Sequence, residues 1–222
     1  MKELTLLIPA KNEKESLPTV LEELKDLDCK IKVILEETDK ETIDAIKDYD
    51  CEVIYQVNKG FGDALINGMN LTETDFFCIF NADGSFNPKE LPLMMEKVRN
   101  ESVDFVFGSR YEKNASSEDD TIVTYIGNKI FTLLGKIFFK LNISDILYTF
   151  VLGKTNQVKK LNLKQKDFTL CVELPIKANR LNMKLDSITS FERSRIGGIK
   201  KVNAFRDGFL ILIYMVSIFF NK

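Results

Sequence analysis

The sequence contains no histidine among its 222 residues. That absence excludes Ser-His-Asp and Cys-His nucleophiles, histidine-ligated zinc and imidazole general bases. Any catalysis must therefore use carboxylates, cationic side chains, amides, hydroxyls or a bound metal. Clusters of these groups are the places to look for a site.

A strong net charge and paired cysteines are also missing. The formal net charge of -2 gives no basic field of the kind that nucleic-acid binding usually needs, so we expect no nucleic-acid partner. The four cysteines form no Cys-x-x-Cys pair. Cys51 and Cys78 lie in apolar runs, which favours buried, reduced thiols in a cytosolic protein. Met1-Lys2-Glu3 leads directly into an apolar run, so we expect no signal peptide.

Residues 76–80 are the most informative apolar stretch of the sequence. All five are apolar and several are aromatic or β-branched, which predicts a short strand buried on both faces. Asn81-Ala82-Asp83-Gly84-Ser85 follows, and Asn87-Pro88 then begins a helix. A carboxylate at the carboxyl end of a central strand could hold a divalent cation and, through it, a diphosphate. Asp83 could equally be a helix cap, and these residues alone favour neither interpretation.

Strands and helices alternate through the first half of the chain. Strands are predicted at 4–8, 31–35, 51–57, 76–80 and 103–107, and helices at 16–27, 40–49, 63–71 and 88–100. The alternation predicts an α/β fold with a mostly parallel sheet and helices on both faces. Polar clusters follow four of these strands: Asn12/Glu13, Glu36/Glu37/Asp39, Asn81/Asp83 and Ser109/Arg110. We expect them to converge on one edge of the sheet and form an active site.

The second half of the chain is less regular. Residues 112–120 are polar and predict a flexible loop, and residues 145–153 form a short apolar segment. A helix at 168–181, a strand at 184–191 and a basic glycine-containing loop at 192–201 follow.

Two apolar segments could face either the core or a membrane. Residues 121–141 predict one or two amphipathic helices bordered by Lys129, Lys136 and Lys140. We favour the core for most of their apolar residues. Residues 209–220 would make a helix of about 18 Å, too short to cross a hydrocarbon core of about 30 Å. This tail would dock on the domain or lie in the membrane interface. We therefore divide the chain into a domain at 1–202 and a C-terminal apolar helix at 203–222.

Six motifs in order resemble those of family-two inverting glycosyltransferases with the Rossmann-like GT-A fold. The resemblance is strongest to the branch of polyprenyl-phosphate sugar transferases that includes dolichyl-phosphate mannosyltransferase. It rests on Leu7-Ile8-Pro9-Ala10-Lys11-Asn12-Glu13, Glu36-Glu37-Thr38-Asp39, Asn58-Lys59-Gly60-Phe61-Gly62-Asp63-Ala64, Asn81-Ala82-Asp83, Gly108-Ser109-Arg110-Tyr111 and Arg195-Ile196-Gly197-Gly198-Ile199-Lys200-Lys201. Each motif alone is weak, but their order is fairly specific.

The resemblance implies a transferase that moves a sugar from a GDP- or UDP-linked donor to a polyprenyl phosphate. It further implies Mg²⁺ or Mn²⁺ as cofactor and peripheral association with the cytoplasmic membrane face. Asp83 and Arg110 would be catalytic, and Asp83, Asn81 and Ser85 would hold the metal. The donor would bind Pro9, Asn12, Glu13, Glu36, Glu37, Asp39, Gly60, Asn81, Ala82 and Asp83. The acceptor phosphate would bind Ser109, Arg110, Arg195, Lys200 and Lys201.

The motifs also depart from the family pattern. Asn81 replaces an acidic ligand, and Glu36-Glu37 replaces Asp-Asp in a shorter loop. Two other functions therefore stay open. The chain could transfer sugar to a glycan, glycolipid or protein, or it could be a non-catalytic relative that binds a nucleotide or scaffolds a partner. A homo-oligomer also stays open.

Overall fold

The computed structural model describes residues 1–100, 102–197 and 201–221. The strands are β1 (Leu4–Pro9), β2 (Lys30–Leu35), β3 (Glu52–Tyr55), β4 (Phe76–Ile79), β5 (Phe105–Ser109), β6 (Ser116–Ser117), β7 (Val151–Lys154), β8 (Leu185–Thr189) and β9 (Phe191–Glu192). The α-helices are α1 (Leu17–Leu24), α2 (Lys40–Ile46), α3 (Phe61–Asn70), α4 (Leu91–Asn100), α5 (Ile122–Phe139), α6 (Thr155–Lys160), α7 (Leu170–Arg180) and α8 (Ala204–Phe220).

The main sheet has seven strands in the order β3-β2-β1-β4-β7-β5-β8. Only β7 runs antiparallel to its neighbours among these strands, so the carboxyl ends of the other six lie along one edge. The short strands β6 and β9 pair separately. The predicted α/β fold with a mostly parallel sheet is confirmed.

The core is divided between the two faces of this sheet. Helices α1, α2 and α4 cover one face, and α3, α6, α7 and α8 cover the other. Strand β4 supplies both faces: Phe77 and Ile79 point to the second, whereas Cys78 and the following Phe80 point to the first. This alternation follows from the two-residue period of a strand. The prediction that residues 76–80 are buried on both faces is confirmed for these four side chains.

Two parts of the chain differ from the predicted pattern. Residues 145–153, predicted only as an apolar segment, contain the start of β7, which pairs with both β4 and β5. Residues 112–120, predicted as a flexible loop, contain β6, which pairs with β9. Both strands are very short and their partners are distant in sequence, so local patterns could not specify them.

Helix α5 has an inverted pattern of burial. Its buried side chains are Asn128 and Thr132, together with Gly135. Its large exposed residues are Ile122, Val123, Tyr125, Ile126, Ile130, Leu133, Ile137 and Phe138. A helix of a soluble core buries its apolar stripe and exposes its polar one. The prediction that most of these apolar residues belong to the core is therefore wrong for the exposed ones, whereas Phe131, Leu134, Phe139 and Leu141 pack in or against the core as predicted.

Helix α8 belongs partly to the core. It begins at Ala204, before the apolar run at 209–220 and close to the predicted start at 203, and its 17 residues make it about 26 Å long. Ile211, Met215 and Ile218 are buried in the same cluster as α3 and α7. Its other side exposes Phe205, Phe209, Leu210, Leu212, Ile213, Val216, Phe219 and Phe220.

Helices α5 and α8 lie side by side and run in the same direction. A Cβ on Gly208 would lie 3.7 Å from Phe131, and the rings of Phe138 and Phe219 are 5.5 Å apart. Among the helices that the structure describes, α5 is the one long and apolar enough to cross a membrane, and only 17% of it is buried. We call the exposed apolar residues of these two helices the apolar face.

The core role of α8 predicts unequal effects at two neighbouring positions. Met215 is 3% exposed and Val216 is 52% exposed. Met215→Ala should lower the free energy of unfolding by about 2–5 kcal/mol because it leaves a cavity. Val216→Ala should change it by less than about 0.5 kcal/mol. Urea unfolding of both variants measures the difference, and equal losses would place α8 outside the core.

Candidate functional site

The loops after β1 and β2 are joined by hydrogen bonds. Asn12 has a left-handed φ of 52° and donates its backbone N–H to Asp39 Oδ2 at 2.7 Å. The backbone N–H of Glu13 donates to Thr42 Oγ1 at 3.0 Å. Asp39 also caps α2 by accepting from the N–H of Thr42 at 3.4 Å. Three residues that are predicted to bind the nucleotide-sugar donor, from the ends of two strands, therefore lie together.

Glu13 is a buried carboxylate at this edge, only 6% exposed. The Ser16 hydroxyl donates to its Oε2 at 2.7 Å, and Lys201 Nζ pairs with its Oε1. This ion pair joins the loop after β1, predicted to bind the nucleotide sugar, to the basic loop that is predicted to bind the acceptor phosphate.

The other predicted donor residues of these loops are more accessible. Lys11 Nζ donates to Glu36 Oε1 at 2.8 Å, and this hydrogen bond lowers the pKa of Glu36. Glu37 is exposed, and Pro9 is half-buried at the end of β1.

The turn before α3 needs glycine because another backbone segment packs against it. Gly60 has a φ of 124°, and a Cβ there would lie 2.1 Å from the carbonyl oxygen of Lys166. A Cβ on Gly62 would lie 2.2 Å from the carbonyl oxygen of Gln165. We call residues 60–63 the glycine turn. Lys59, just before it, acts electrostatically on Glu36, so the turn lies near the loop after β2.

Two oxygen atoms of the turn after β4 take no part in the hydrogen bonds within that turn. Asp83 Oδ1 accepts from the N–H of Ser85 at 3.0 Å, and Asn81 Nδ2 donates to Ser85 Oγ at 2.7 Å. Asn81 Oδ1 is buried and has no hydrogen-bond partner among the described residues, and Asp83 Oδ2 faces Arg195. Asn87 caps the following 3₁₀ turn by accepting from Lys89 N–H. Asn87 therefore makes the cap that could have been assigned to Asp83.

The backbone of residues 193–197 lies across this turn, and we call it the covering segment. The N–H groups of Arg193 and Ile196 donate to the carbonyls of Ser85 and Asp83, each at 2.8 Å. Gly84 has a φ of 82°, and a Cβ there would lie 2.4 Å from Ile196. A larger residue here would strain the backbone and would require the Ile196 side chain to move.

Arg195 lies between two carboxylates. Its Nη2 is 2.9 Å from Asp119 Oδ2 and 3.7 Å from Asp83 Oδ2. The hydrogen bonds that Arg195 donates to Asp119 raise the pKa of Arg195. Next to it, Glu118 accepts from the backbone N–H of Ser194 at 3.0 Å. The acidic residues after β6 thus hold the covering segment in place.

The turn after β4 suits a divalent cation, although its donor set is small. No group of three His, Cys, Asp or Glu residues in the described part of the chain could hold a metal. Hard cations also take amide and hydroxyl oxygens, which Asn81 and Ser85 offer beside the Asp83 carboxylate. A buried oxygen without a partner is costly, so the unpaired Asn81 Oδ1 fits a cation ligand. A bound ligand would have to supply further oxygens.

Arg110 lies in a buried ion cluster at the end of β5. Its Nε donates to Asp145 Oδ2 at 2.7 Å and its Nη2 to Asp145 Oδ1 at 3.1 Å. Its Nη1 lies 3.2 Å from Glu192 and 3.6 Å from Asp120. The guanidinium stacks on Tyr148 at 4.5 Å. Burial raises the pKa of Glu192, against the opposing charge of Arg110.

This environment differs from the one expected for an acceptor-binding residue. Arg110 is 9% exposed, and carboxylates occupy its donors, so it does not stand open at the sheet edge. Ser109 is fully buried and accepts from the Ser144 hydroxyl at 2.8 Å. Direct contact of either with a phosphate stays a prediction. Lys200 lies outside the described residues.

Sequence reasoning missed the acidic partners of the predicted arginines. Asp119 pairs with Arg195, whereas Asp145 and Glu192 pair with Arg110. One signal was available, because the acidic run at 118–120 and the arginines at 193 and 195 carry opposite charges. Asp145 stood in a short apolar segment and gave no such signal.

Comparison with known proteins identifies similar sequences. Residues 5–161 match the profile of the family described as glycosyl transferase family 2. Dolichol-phosphate mannosyltransferase of Pyrococcus furiosus is 26% identical over 184 residues, which are 78% of this chain and 52% of the relative. Undecaprenyl-phosphate mannosyltransferase of Micrococcus luteus is 27% identical over 203 residues, which are 83% of this chain and 81% of the relative. The chain thus spans about half of the first relative and most of the second.

Solved structures share the fold. Glucosyl-3-phosphoglycerate synthase of Mycobacterium tuberculosis with phosphoglyceric acid gives a TM-score of 0.74 at 14% identity, covering 96% of this chain and 79% of that one. Its complex with Mn²⁺, uridine diphosphate and glucosyl-3-phosphoglycerate gives 0.73 at 14% identity, covering 96% and 78%. At such identities the likeness concerns the fold alone.

The ion cluster predicts a stability change that depends on pH. Arg110→Ala leaves buried carboxylates unpaired and should cost about 3–5 kcal/mol of unfolding free energy at neutral pH. The raised pKa of Glu192 means that the folded state binds this proton more readily than the unfolded state. The stability from that proton is complete below the usual glutamate pKa and is lost as the pH rises through the raised value.

Removing the guanidinium should raise the pKa of Glu192 further, so the cost of Arg110→Ala should be smaller at about pH 5 than at about pH 8. Urea unfolding at both pH values measures it. Arg99→Ala, which removes a more exposed pair with Glu3, is the control and should cost about 1 kcal/mol or less. A cost for Arg110→Ala that matches the control at both pH values would contradict the role of the cluster.

Proposed function

Because this chain belongs to glycosyl transferase family 2, we propose that it transfers a sugar from a nucleotide-diphosphate donor to a polyprenyl phosphate at the cytoplasmic face of a membrane. A phosphate oxygen of the acceptor attacks the anomeric carbon and forms the new C–O bond. The bond from that carbon to the diphosphate breaks, and the nucleoside diphosphate leaves with the electron pair. The anomeric configuration inverts, as the family resemblance implies.

One observation carries the proposal. The turn after β4 presents the unpaired Asn81 Oδ1 and the Asp83 carboxylate beneath a cationic segment, at the edge where the loops after β1 and β2 also meet. Oxygen ligands beside cationic side chains suit a cation-bound diphosphate. Asn12, Glu13 and Asp39 are then assigned to the nucleoside, together with the other predicted donor residues of their loops.

A divalent metal is the proposed cofactor. Asp83, Asn81 and Ser85 would hold it, and when bound it would neutralise the charge that develops on the leaving diphosphate. The M. tuberculosis synthase, which shares the fold, was solved with Mn²⁺ and uridine diphosphate, and this supports a divalent metal as the cofactor. Arg195 lies 3.7 Å from Asp83, so it would have to move aside for the metal or share the carboxylate with it.

The acceptor needs little chemical help from the protein. A phosphate monoester has a second pKa of about 6, so it is mostly ionised near neutral pH and requires no general base. That agrees with a chain that has no histidine. Arg195 and Lys201 are the described cations assigned to its phosphate, and Lys200 stays a prediction. Arg110 and Ser109 would contribute by shaping the turn after β5.

A lipid acceptor and the membrane location are supported by the apolar face. Helix α5 buries polar side chains and exposes large apolar ones, the arrangement expected of a helix that lies in a membrane interface. Lys129 and Lys136 are exposed on the same helix, Lys140 is exposed directly after it, and all three can meet anionic headgroups. The two mannosyltransferase relatives are named for polyprenyl-phosphate acceptors.

A transfer assay tests the reaction. The protein is incubated with Mn²⁺, radiolabelled GDP-mannose or UDP-glucose, and either a short polyprenyl phosphate or 3-phosphoglycerate. We expect the label in the lipid fraction. Label on 3-phosphoglycerate alone would show that the acceptor is a small phosphate ester and not the lipid. Nucleotide binding without transfer in every arm would identify a non-catalytic relative.

The metal assignment predicts opposite effects of two substitutions. Asp83→Ala should abolish Mn²⁺-dependent binding of UDP or GDP, because Asp83 is the carboxylate of the turn. Asn81→Asp should tighten it by roughly tenfold or more, the size of one added charge-assisted contact. Asn87→Asp adds the same charge at the helix cap and should leave the affinity unchanged. Calorimetry with and without Mn²⁺ measures all three, and unchanged affinity in Asp83→Ala would remove Asp83 from the site.

The membrane assignment predicts loss of lipid binding without loss of fold. Ile130→Glu and Ile213→Glu change exposed residues of the apolar face, and each should reduce co-sedimentation with anionic vesicles by about tenfold or more. Val57→Glu changes an exposed residue at the end of β3 and is the control. If vesicles do not sediment the parent protein, and both apolar-face variants dissociate a dimer, a second copy of the chain covers this face instead.

A further inference from the structure

Glu173 on α7 is a buried carboxylate that the proposed reaction does not use. Its side chain is 1% exposed and accepts from the backbone N–H of Lys164 at 3.0 Å and of Gln165 at 2.8 Å. Lys177 Nζ lies 2.7 Å away, one helical turn along α7. Tyr214 on α8 also lies close enough to Glu173 to interact with it electrostatically. One carboxylate therefore joins a loop to two helices.

The loop held by Glu173 is the one that packs against the glycine turn. The carbonyl of Lys166 accepts from the N–H of Asp63 at 3.1 Å, which fixes the first turn of α3. The rings of Phe61 and Phe168 stack with their centroids 4.6 Å apart. Residues 165–167 approach Gly60 and Gly62 so closely that a side chain at either glycine would clash with their backbone.

Helix α8 reaches the same loop through Tyr214. Burial raises the pKa of Tyr214, and its contact with Glu173 adds to the effect. Arg180, at the end of α7, donates to the carbonyls of Ile218 and Asn221 near the end of α8. The helix that carries half of the apolar face is thus tied to α7 at two points.

We propose that Glu173 is a positioning residue for the glycine turn and that Tyr214 makes α8 part of the same support. An ionised carboxylate can accept from two backbone N–H groups, an ammonium and a hydroxyl together. A glutamine at this position would carry no charge, and its amide N–H groups would face partners that are themselves hydrogen-bond donors. The consequence for the donor rests on the proposed function, because it requires that the glycine turn contacts the nucleotide.

Hydrogen exchange of the Asp63 amide tests the positioning without any ligand. Glu173→Gln should speed this exchange by roughly tenfold, since the loop that carries the Lys166 carbonyl loses charge-assisted contacts. Tyr214→Phe removes the α8 contact alone and should give a smaller increase. Leu24→Ala, in the core on the opposite face of the sheet, is the control, compared at equal loss of unfolding free energy. Unchanged exchange in both variants, or an equal increase in the control, would overturn the proposal.

Calorimetry with UDP and with GDP, each with Mn²⁺, tests the link to the donor. The dissociation constant should rise by roughly tenfold in Glu173→Gln and by less in Tyr214→Phe. Tyr49 packs against the core on the opposite face of the sheet, so Tyr49→Phe is the matched control and should leave the constant unchanged. If the parent protein binds and Glu173→Gln binds equally well, the proposal fails. If the parent binds neither nucleotide while Asp63 exchange still responds to Glu173→Gln, the proposed function fails and the positioning stands. Should Glu173→Gln not fold, Tyr214→Phe decides both measurements.

Discussion

Strand β7 runs antiparallel between β4 and β5, so the turns after those two strands lie two strand spacings apart, about 10 Å. The chain enters β7 from the same edge of the sheet and passes Asp145 and Tyr148 just before it, where both contact Arg110. The oxygen-rich turn after β4 and the ion cluster after β5 are thereby kept apart. Contact between the turn and the ion cluster therefore depends on a third part of the chain. Residues 192–195 join them, because Glu192 contacts Arg110 and Arg195 contacts Asp83.

Carboxylates hold the cations of this region, which bears on how the proposed phosphate ligand would bind. Arg193 pairs with Glu23 at 2.8 Å, Arg195 with Asp119 at 2.9 Å, and Lys201 with Glu13. Each cation is partly exposed, so these pairs fix positions more than they add stability. A phosphate entering here would exchange one anionic partner for another instead of meeting an unpaired cation. Its binding would therefore depend on where the carboxylates go as well as on the cations.

Local features of the chain could be predicted and long-range ones could not. The strand at 76–80, the turn after it and the parallel sheet follow from apolar runs and turn residues in sequence. The place of β7 and the partners of Arg110 depend on contacts that are distant in sequence. Arg110 contacts Asp145, which is 35 positions away, and Glu192, which is 82 positions away. Charge clusters indicated that a site exists at the strand ends. They did not indicate that Arg110 would be enclosed while Arg195 reaches the turn after β4.

Periodicity also leaves the direction of an apolar stripe undecided. The pattern of α5 predicts an amphipathic helix, but which side meets the core depends on what lies beneath it. Here Tyr111 bonds to Asn128, and the N–H of Ile146 bonds to Thr132, so the polar side faces inward. Helix α8 differs because it buries one apolar side and exposes another. Its buried residues Ile211, Met215 and Ile218 join the core, and its exposed side extends the apolar face beyond α5.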